Sequence, residues 1–137
     1  MVRWPGHVAP EVSDALVSQV DLFASLSAFV SVEYRSQDSQ NQIESLLGND
    51  PHGRSDLVIE GLGRTAYRNG DYVMIPPYEG PAITPWGPDI ELGIDSEYQL
   101  YDLANDPGQQ RNLAFELPEK LEEMKGFYSE IIGPEDE

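Results

Sequence analysis

"RTAYRNGDYVMIP", residues 64–76, decides the fold. Two runs with strand chemistry flank Asn69-Gly70, a dipeptide with a strong preference for two-residue hairpin turns. The first run carries Thr65 and Tyr67. The second carries Tyr72, Val73, Met74 and Ile75, and stops at Pro76-Pro77, where the ladder would lose its donors. The pattern predicts two antiparallel strands side by side in one sheet.

Upstream, "DLVIEG" (56–61) sets Leu57 and Ile59 on one face and Val58 and Glu60 on the other, which predicts a third strand of the same meander. Downstream, "EYQLYDLANDPGQQRNLA" (97–114) supplies a fourth strand over 98–102. The chain then turns sharply at Asn105-Asp106-Pro107-Gly108. Pro118 opens a helix expected over 118–132, with Leu117, Leu121, Met124, Phe127 (with Tyr128) and Ile131 on its apolar face and Gly133-Pro134 ending it. The expected class is α+β: a four-stranded antiparallel sheet packed by a C-terminal helix.

The N-terminal third has a different character. Residues 18–31 predict a helix with a Ser18/Asp21 capping pattern and apolar side chains at Val20, Phe23, Leu26 and Val30. Burying four such groups is worth roughly 1.5–3 kcal/mol each before entropy, so this helix needs a partner surface. Met1–Gly6 reads as the end of a strand running into a turn, with no charged and apolar leader pattern. It suggests a chain that starts inside a larger fold. Residues 33–42 are polar and read as a linker. Ile43, Leu46 and Leu47 form a short amphipathic turn closed by Gly48, and "NDPHGR" (49–54) is turn chemistry.

Composition narrows the function. The 137 residues fit one domain of ordinary size, and their net charge of −17 opposes binding to nucleic acid or anionic membrane. With no cysteine, disulfides, thiolate metal sites and cysteine nucleophiles are excluded. No apolar run approaches the ~18–20 residues of a membrane helix. His7 and His52 sit in turns without a second ligand nearby. "GLGRTA" (61–66) has a G-x-G, but it opens a strand and cannot serve as a dinucleotide loop. Asp89, Glu91, Asp95 and Glu97 form a carboxylate-rich run that suits calcium by atom type, though without EF-hand spacing and with strand-like apolar residues between them. Tyr67, Tyr72, Tyr78, Tyr98 and Tyr101 fit either a carbohydrate platform or half-buried sheet positions.

The order of these pieces resembles the C-terminal portion of a type I sulfatase, in the arylsulfatase and N-acetylgalactosamine-6-sulfatase group. "VRWPGHVAP", "SDALVSQVDLFASLSAF", "QIESLLGNDPHGRSDLVIEG", "TAYRNGDYVMIPP" and "QLYDLANDPGQQRNLA" each resemble a family segment, in the family's order. The resemblance departs at Val73, where the family has lysine, at Ala24-Ser25, where it has Pro-Thr, and at Gln109 or Gln110, one of which stands where an acid is usual.

The resemblance implies a sulfuric ester hydrolase acting on sulfated glycans or aryl sulfates. It implies residues 1–34 as a strand-turn-helix remnant of the larger α/β catalytic domain, 35–55 as a linker with a short helix, and 56–137 as the C-terminal subdomain. The family's calcium and formylglycine, the latter made in a C/S-x-P-x-R motif, map to no residue here. The expectation is therefore no catalytic, cofactor-binding or metal residue, and a chain inactive alone. The implied partner is the upstream catalytic domain, with a homodimer through helix 18–31 or a disordered N-terminal third in its absence. Loop 76–96 and the "PHGR" turn are the segments expected near a substrate, and the family implies a periplasmic or extracellular location. The alternative is a stand-alone acidic interaction or carbohydrate-binding domain.

Overall fold

The computed structural model describes residues 1–34, 36–61, 64–81, 83 and 93–133. In chain order the elements are α1 (Asp21–Phe29), α2 (Ile43–Leu46), β1 (Asp56–Gly61), β2 (Arg64–Asn69), β3 (Tyr72–Ile75), β4 (Gln99–Asp102) and α3 (Pro118–Ile132). They fall into two compact units, Met1–Asp56 and Leu57–Glu137.

The second unit is built on the hairpin. The strands lie in the order β1-β2-β3-β4. Gly70, at φ 56°, makes the reversal, and Asn69 pairs with Tyr72 across it. The register places Tyr67 opposite Met74 and Met74 opposite Leu100. These three fully buried side chains form one cross-strand row, and Met124 of α3 and Ala114 close over it. Period-two alternation thus puts one residue from each of three strands under the helix.

The segment after β4 is a second clamp on that core. The Asn112 carboxamide oxygen accepts from the Leu100 amide at 3.0 Å, and the Leu113 amide donates to the Leu100 carbonyl at 2.7 Å. Backbone groups of the edge strand are thereby satisfied by a following turn, not left open to another chain. Asp106 shapes that turn by accepting from the amides of Gln110 and Arg111 at 2.7 and 2.8 Å.

Helix α3 has the expected bounds but not the whole expected face. Met124 is fully buried, with Leu121 and Tyr128 packed beside it. Phe127 and Ile131 are 40% and 50% exposed. Tyr128 takes the inward position, its hydroxyl bonded to Thr65, and Phe127 lies about 100° round the helix from it. Lys120 and Lys125 extend over the rings of Tyr72 and Tyr98, 5.2 and 4.8 Å from the ring centres.

Two N-terminal expectations change. Met1–Trp4 is not a strand; no ladder partner for it occurs among the described residues, and Trp4 instead accepts from His7 and Val8 in a turn. Helix α1 begins at Asp21, not Ser18. The capping contact also runs the other way, with the Ser18 amide donating to the Asp21 carboxylate at 2.9 Å.

Candidate functional site

Helix α1 is built with its polar side inward. Asp21 and Ser25, at i and i+4, are both 0% exposed. Asp21 Oδ1 accepts from Arg54 Nη1 at 2.6 Å and from the Gln40 amide at 2.9 Å. Ser25 Oγ accepts from the Gln42 amide at 2.8 Å, and Ser39 Oγ accepts from the Ala24 amide in the first turn of the helix at 3.0 Å. Arg54 also donates to the carbonyls of Asp38 and Asp56. Residues 38–42, polar by composition, are thus laced to the helix. A buried carboxylate is tolerable only with such a set of donors.

The "PHGR" turn forms the other half of this lock. Leu16 and Gly53 make a parallel bridge, with the Leu16 amide donating to His52 and the Arg54 amide donating to Leu16, at 3.0 and 2.8 Å. Gly53 has φ +70°, and a Cβ there would lie 2.3 Å from the Leu16 carbonyl oxygen. Asp50 accepts from the amides of His52 and Gly53 and from Ser45 Oγ. The His52 amide first, then the Ser45 hydroxyl, hold its carboxyl below the ordinary carboxylate value. Of the turn residues expected near a substrate, Arg54 is therefore engaged inside the unit, and His52 is exposed.

With its polar side satisfied inward, α1 turns its apolar side out. Phe23, Leu26, Phe29 and Val30 are 61%, 55%, 48% and 63% exposed. Together with Leu22 they lie on one stripe about 120° wide at 3.6 residues per turn. Trp4 packs edge-on against Phe29, 5.4 Å between rings, and stacks on His7 at 4.1 Å. Phe23 lies against Tyr34 at 4.3 Å.

The sheet unit carries an open groove of about 550 Å³ lined by Ile59, Arg64, Thr65, Tyr78, Asp95 and Gln109, among others. The Arg64 guanidinium stands 5.5 Å over the Tyr78 ring. Of the five tyrosines considered as a platform, Tyr67 and Tyr101 are buried, Tyr72 and Tyr98 are half-buried against the helix, and Tyr78 is exposed. They do not form one surface. Asp89, Glu91 and ten residues of loop 76–96 in all (82 and 84–92) lie outside the described residues. Among the described residues no group of three or more His, Asp or Glu is placed to hold a metal ion.

Composition gave little sign of the buried Asp21–Arg54 pair. Its trace was Asp21 inside an apolar helical run, which reads as a cap before it reads as a core carboxylate.

No family model matches the chain. It is 41% identical over 135 residues to the N-acetylgalactosamine-6-O-sulfatase of Bacteroides thetaiotaomicron, covering 96% of this chain and 26% of that protein. It is 31% identical over 140 residues to human arylsulfatase A, covering 89% of this chain and 28% of that protein. A solved B. thetaiotaomicron structure from work on glycosaminoglycan metabolism superposes with a TM-score of 0.87 at 37% identity, over 94% of this chain and 28% of that one. A protein solved in complex with its substrate D-glucosamine-2-N,6-O-disulfate shares the fold, at a TM-score of 0.63 and 18% identity, over 93% of this chain and 26% of its own.

The chain belongs to the sulfatases, corresponding to a C-terminal portion of that family's polypeptide. Its similarity runs to the N-acetylgalactosamine-6-sulfatase and arylsulfatase group, and it spans about a quarter of the length of the curated relatives it matches.

Proposed function

We propose that these residues serve a sulfuric ester hydrolase of sulfated glycans as a supporting subdomain that walls the substrate cleft, and that they perform none of the bond-breaking themselves. The observation that carries this reading is how the polar groups are used. Asp21, Arg54, Ser25 and Asp50, the groups best placed to resemble a site, are bonded to one another or to backbone. Each is occupied in holding the fold.

The groups the family implies are a formylglycine and calcium. A formylglycine needs a Cys or Ser in C/S-x-P-x-R, and the sequence contains no cysteine and no such motif. The described carboxylates form no metal cluster. The formylglycine has no residue here from which to form, and calcium finds no cluster among the described residues, so no step is routed through either group. Calcium and formylglycine chemistry belong, in this reading, to the remaining three quarters of a sulfatase. A periplasmic or extracellular location accompanies it.

The test is hydrolysis of an aryl sulfate by the purified chain, with and without calcium. Background rates are expected in both conditions. Turnover that survives repurification and tracks with the protein would overturn the reading.

A further inference from the structure

We infer that Asn69 is a site of spontaneous covalent modification, at which the Gly70 amide nitrogen closes on the Asn69 side chain and converts it to aspartate and isoaspartate, loosening the β2–β3 hairpin. The site does not depend on what the chain does in a sulfatase.

The chemistry needs an asparagine carboxamide and the amide nitrogen of the next residue. The Gly70 nitrogen gives its proton to solvent and attacks Asn69 Cγ. The new N–Cγ bond forms, the Cγ–Nδ2 bond breaks, and Nδ2 leaves as ammonia with a proton from water. Water then opens the five-membered imide at either carbonyl. Opening at Cγ gives aspartate. Opening at the backbone carbonyl gives isoaspartate, whose chain runs through the side-chain carbons.

The first ground is the state of the attacking nitrogen. The chain has five asparagines. After Asn41 the Gln42 amide donates to Ser25 Oγ at 2.8 Å. After Asn49, Asn105 and Asn112 the amides of Asp50, Asp106 and Leu113 donate to the carbonyls of Glu44, Asp102 and Leu100, at 3.3, 2.7 and 2.7 Å. The Gly70 amide has no acceptor among the described residues. An amide proton already held in a hydrogen bond costs more to remove.

The second ground is room and charge. Gly70 is exposed, and a Cβ built on it meets nothing within 4 Å. Having no side chain, it leaves its own nitrogen unshielded. Arg68 Nε donates to the Gly70 carbonyl at 2.9 Å, which brings a cation to the residue whose nitrogen must become an anion.

The third ground is position. Asn69 opposite Tyr72 is the rung of the β2–β3 ladder nearest the turn, and the ends of a ladder open at lower cost than its core. The Asn69 carboxamide nitrogen donates to the Tyr67 hydroxyl at 3.3 Å. Opening this rung frees the backbone rotation that ring closure requires, while Tyr67 and Met74 stay opposed further in. Isoaspartate adds a backbone carbon at this rung, so the strands no longer match a two-residue reversal. Either product adds a carboxylate to a chain already at −17.

The test incubates the folded chain at neutral pH, digests it and locates converted asparagines by mass spectrometry, with isoaspartyl methyltransferase marking isoaspartate. Asn69 should convert at least about tenfold faster than Asn41, Asn49, Asn105 or Asn112, whose following amides must first leave an acceptor. No conversion of Asn69 in the folded chain, over a period that converts it fully in urea, overturns the site. Conversion of Asn49 or Asn105 at the same rate overturns the role of the free amide. The isoaspartyl form, separated by its added charge, should unfold at lower urea than the unmodified chain. Asn69→Gln, which would have to close a larger ring, should keep its midpoint through the same incubation; if it does not fold, Asn69→Thr takes its place. Equal midpoints for the isoaspartyl and unmodified chains overturn the loosening. A fall in the variant as large as in wild type overturns its assignment to Asn69.

Discussion

Arg54 Nη1 lies 2.6 Å from Oδ1 of Asp21, thirty-three residues away in sequence, and the Asp21 side chain is fully buried. This pair ties the turn after α2 to the first residue of α1. Removing one partner of a buried pair leaves the other uncompensated and costs about 3–5 kcal/mol, more than the pair contributes against an apolar replacement. Arg54→Met is expected to destabilise the Met1–Asp56 unit by that amount. Asp21→Asn/Arg54→Met should cost clearly less than the two single changes added together. A double-mutant cycle by urea unfolding, followed by a probe in that unit, measures the coupling.

Gly53 and Gly126 should respond to alanine in opposite directions. At Gly53 the added Cβ meets the Leu16 carbonyl oxygen at 2.3 Å with φ at +70°, so backbone must move. The expected loss is about 2 kcal/mol or more, with the Leu16 and Arg54 amides losing hydrogen-exchange protection. Gly126 sits inside α3 with nothing within 4 Å of the added atom. There, alanine should stabilise by about 0.5–1 kcal/mol, read as a raised thermal midpoint.

Asp50 sets a pH dependence in the same turn. Its folded carboxyl titrates below the ordinary value of 3.8 because the His52 amide and then the Ser45 hydroxyl stabilise the charged form. A depressed carboxylate contributes stability that is present above the unfolded value and is lost as pH falls through the folded one. Asp50→Asn should therefore be less stable than wild type at neutral pH, with the difference closing below about pH 3.8. Paired urea titrations at pH 7 and at pH 3 check the sign.

The α3 face is tested by contrast. Met124, fully buried over Tyr67, Met74 and Leu100, should lose about 2–5 kcal/mol on truncation to alanine. Phe127, at 40% exposure, should lose much less. Equal losses would mean that Phe127 is covered in solution.

The sheet was legible because its signals are local. Asn69-Gly70 fixes a reversal, period-two alternation fixes the faces, and Pro118 and Gly133 bracket a helix. What escaped was set by long-range partners. Nothing near Asp21 announces that Arg54 will bury it, so the periodicity of α1 shows an apolar stripe in need of a partner surface and not the polar side that the unit buries. Phe127 and Tyr128 are adjacent and both aromatic, and the Thr65 hydroxyl on β2 decides which turns in. Residues 38–42 read as a linker because serine, glutamine and asparagine carry no periodic signal. Their order comes from bonds to α1. The candidate site was legible chiefly as an order of segments, since supporting surfaces lack the fixed residue types that chemistry demands.

The most direct measurement is sulfate release from 6-O-sulfated N-acetylgalactosamine by three preparations: the chain alone, the non-aligned part of the B. thetaiotaomicron relative alone, and the two co-expressed. The account predicts background release from each part and release well above background from the pair. Release by the chain alone that follows it through repurification, or a pair no more active than its separate parts, would contradict it.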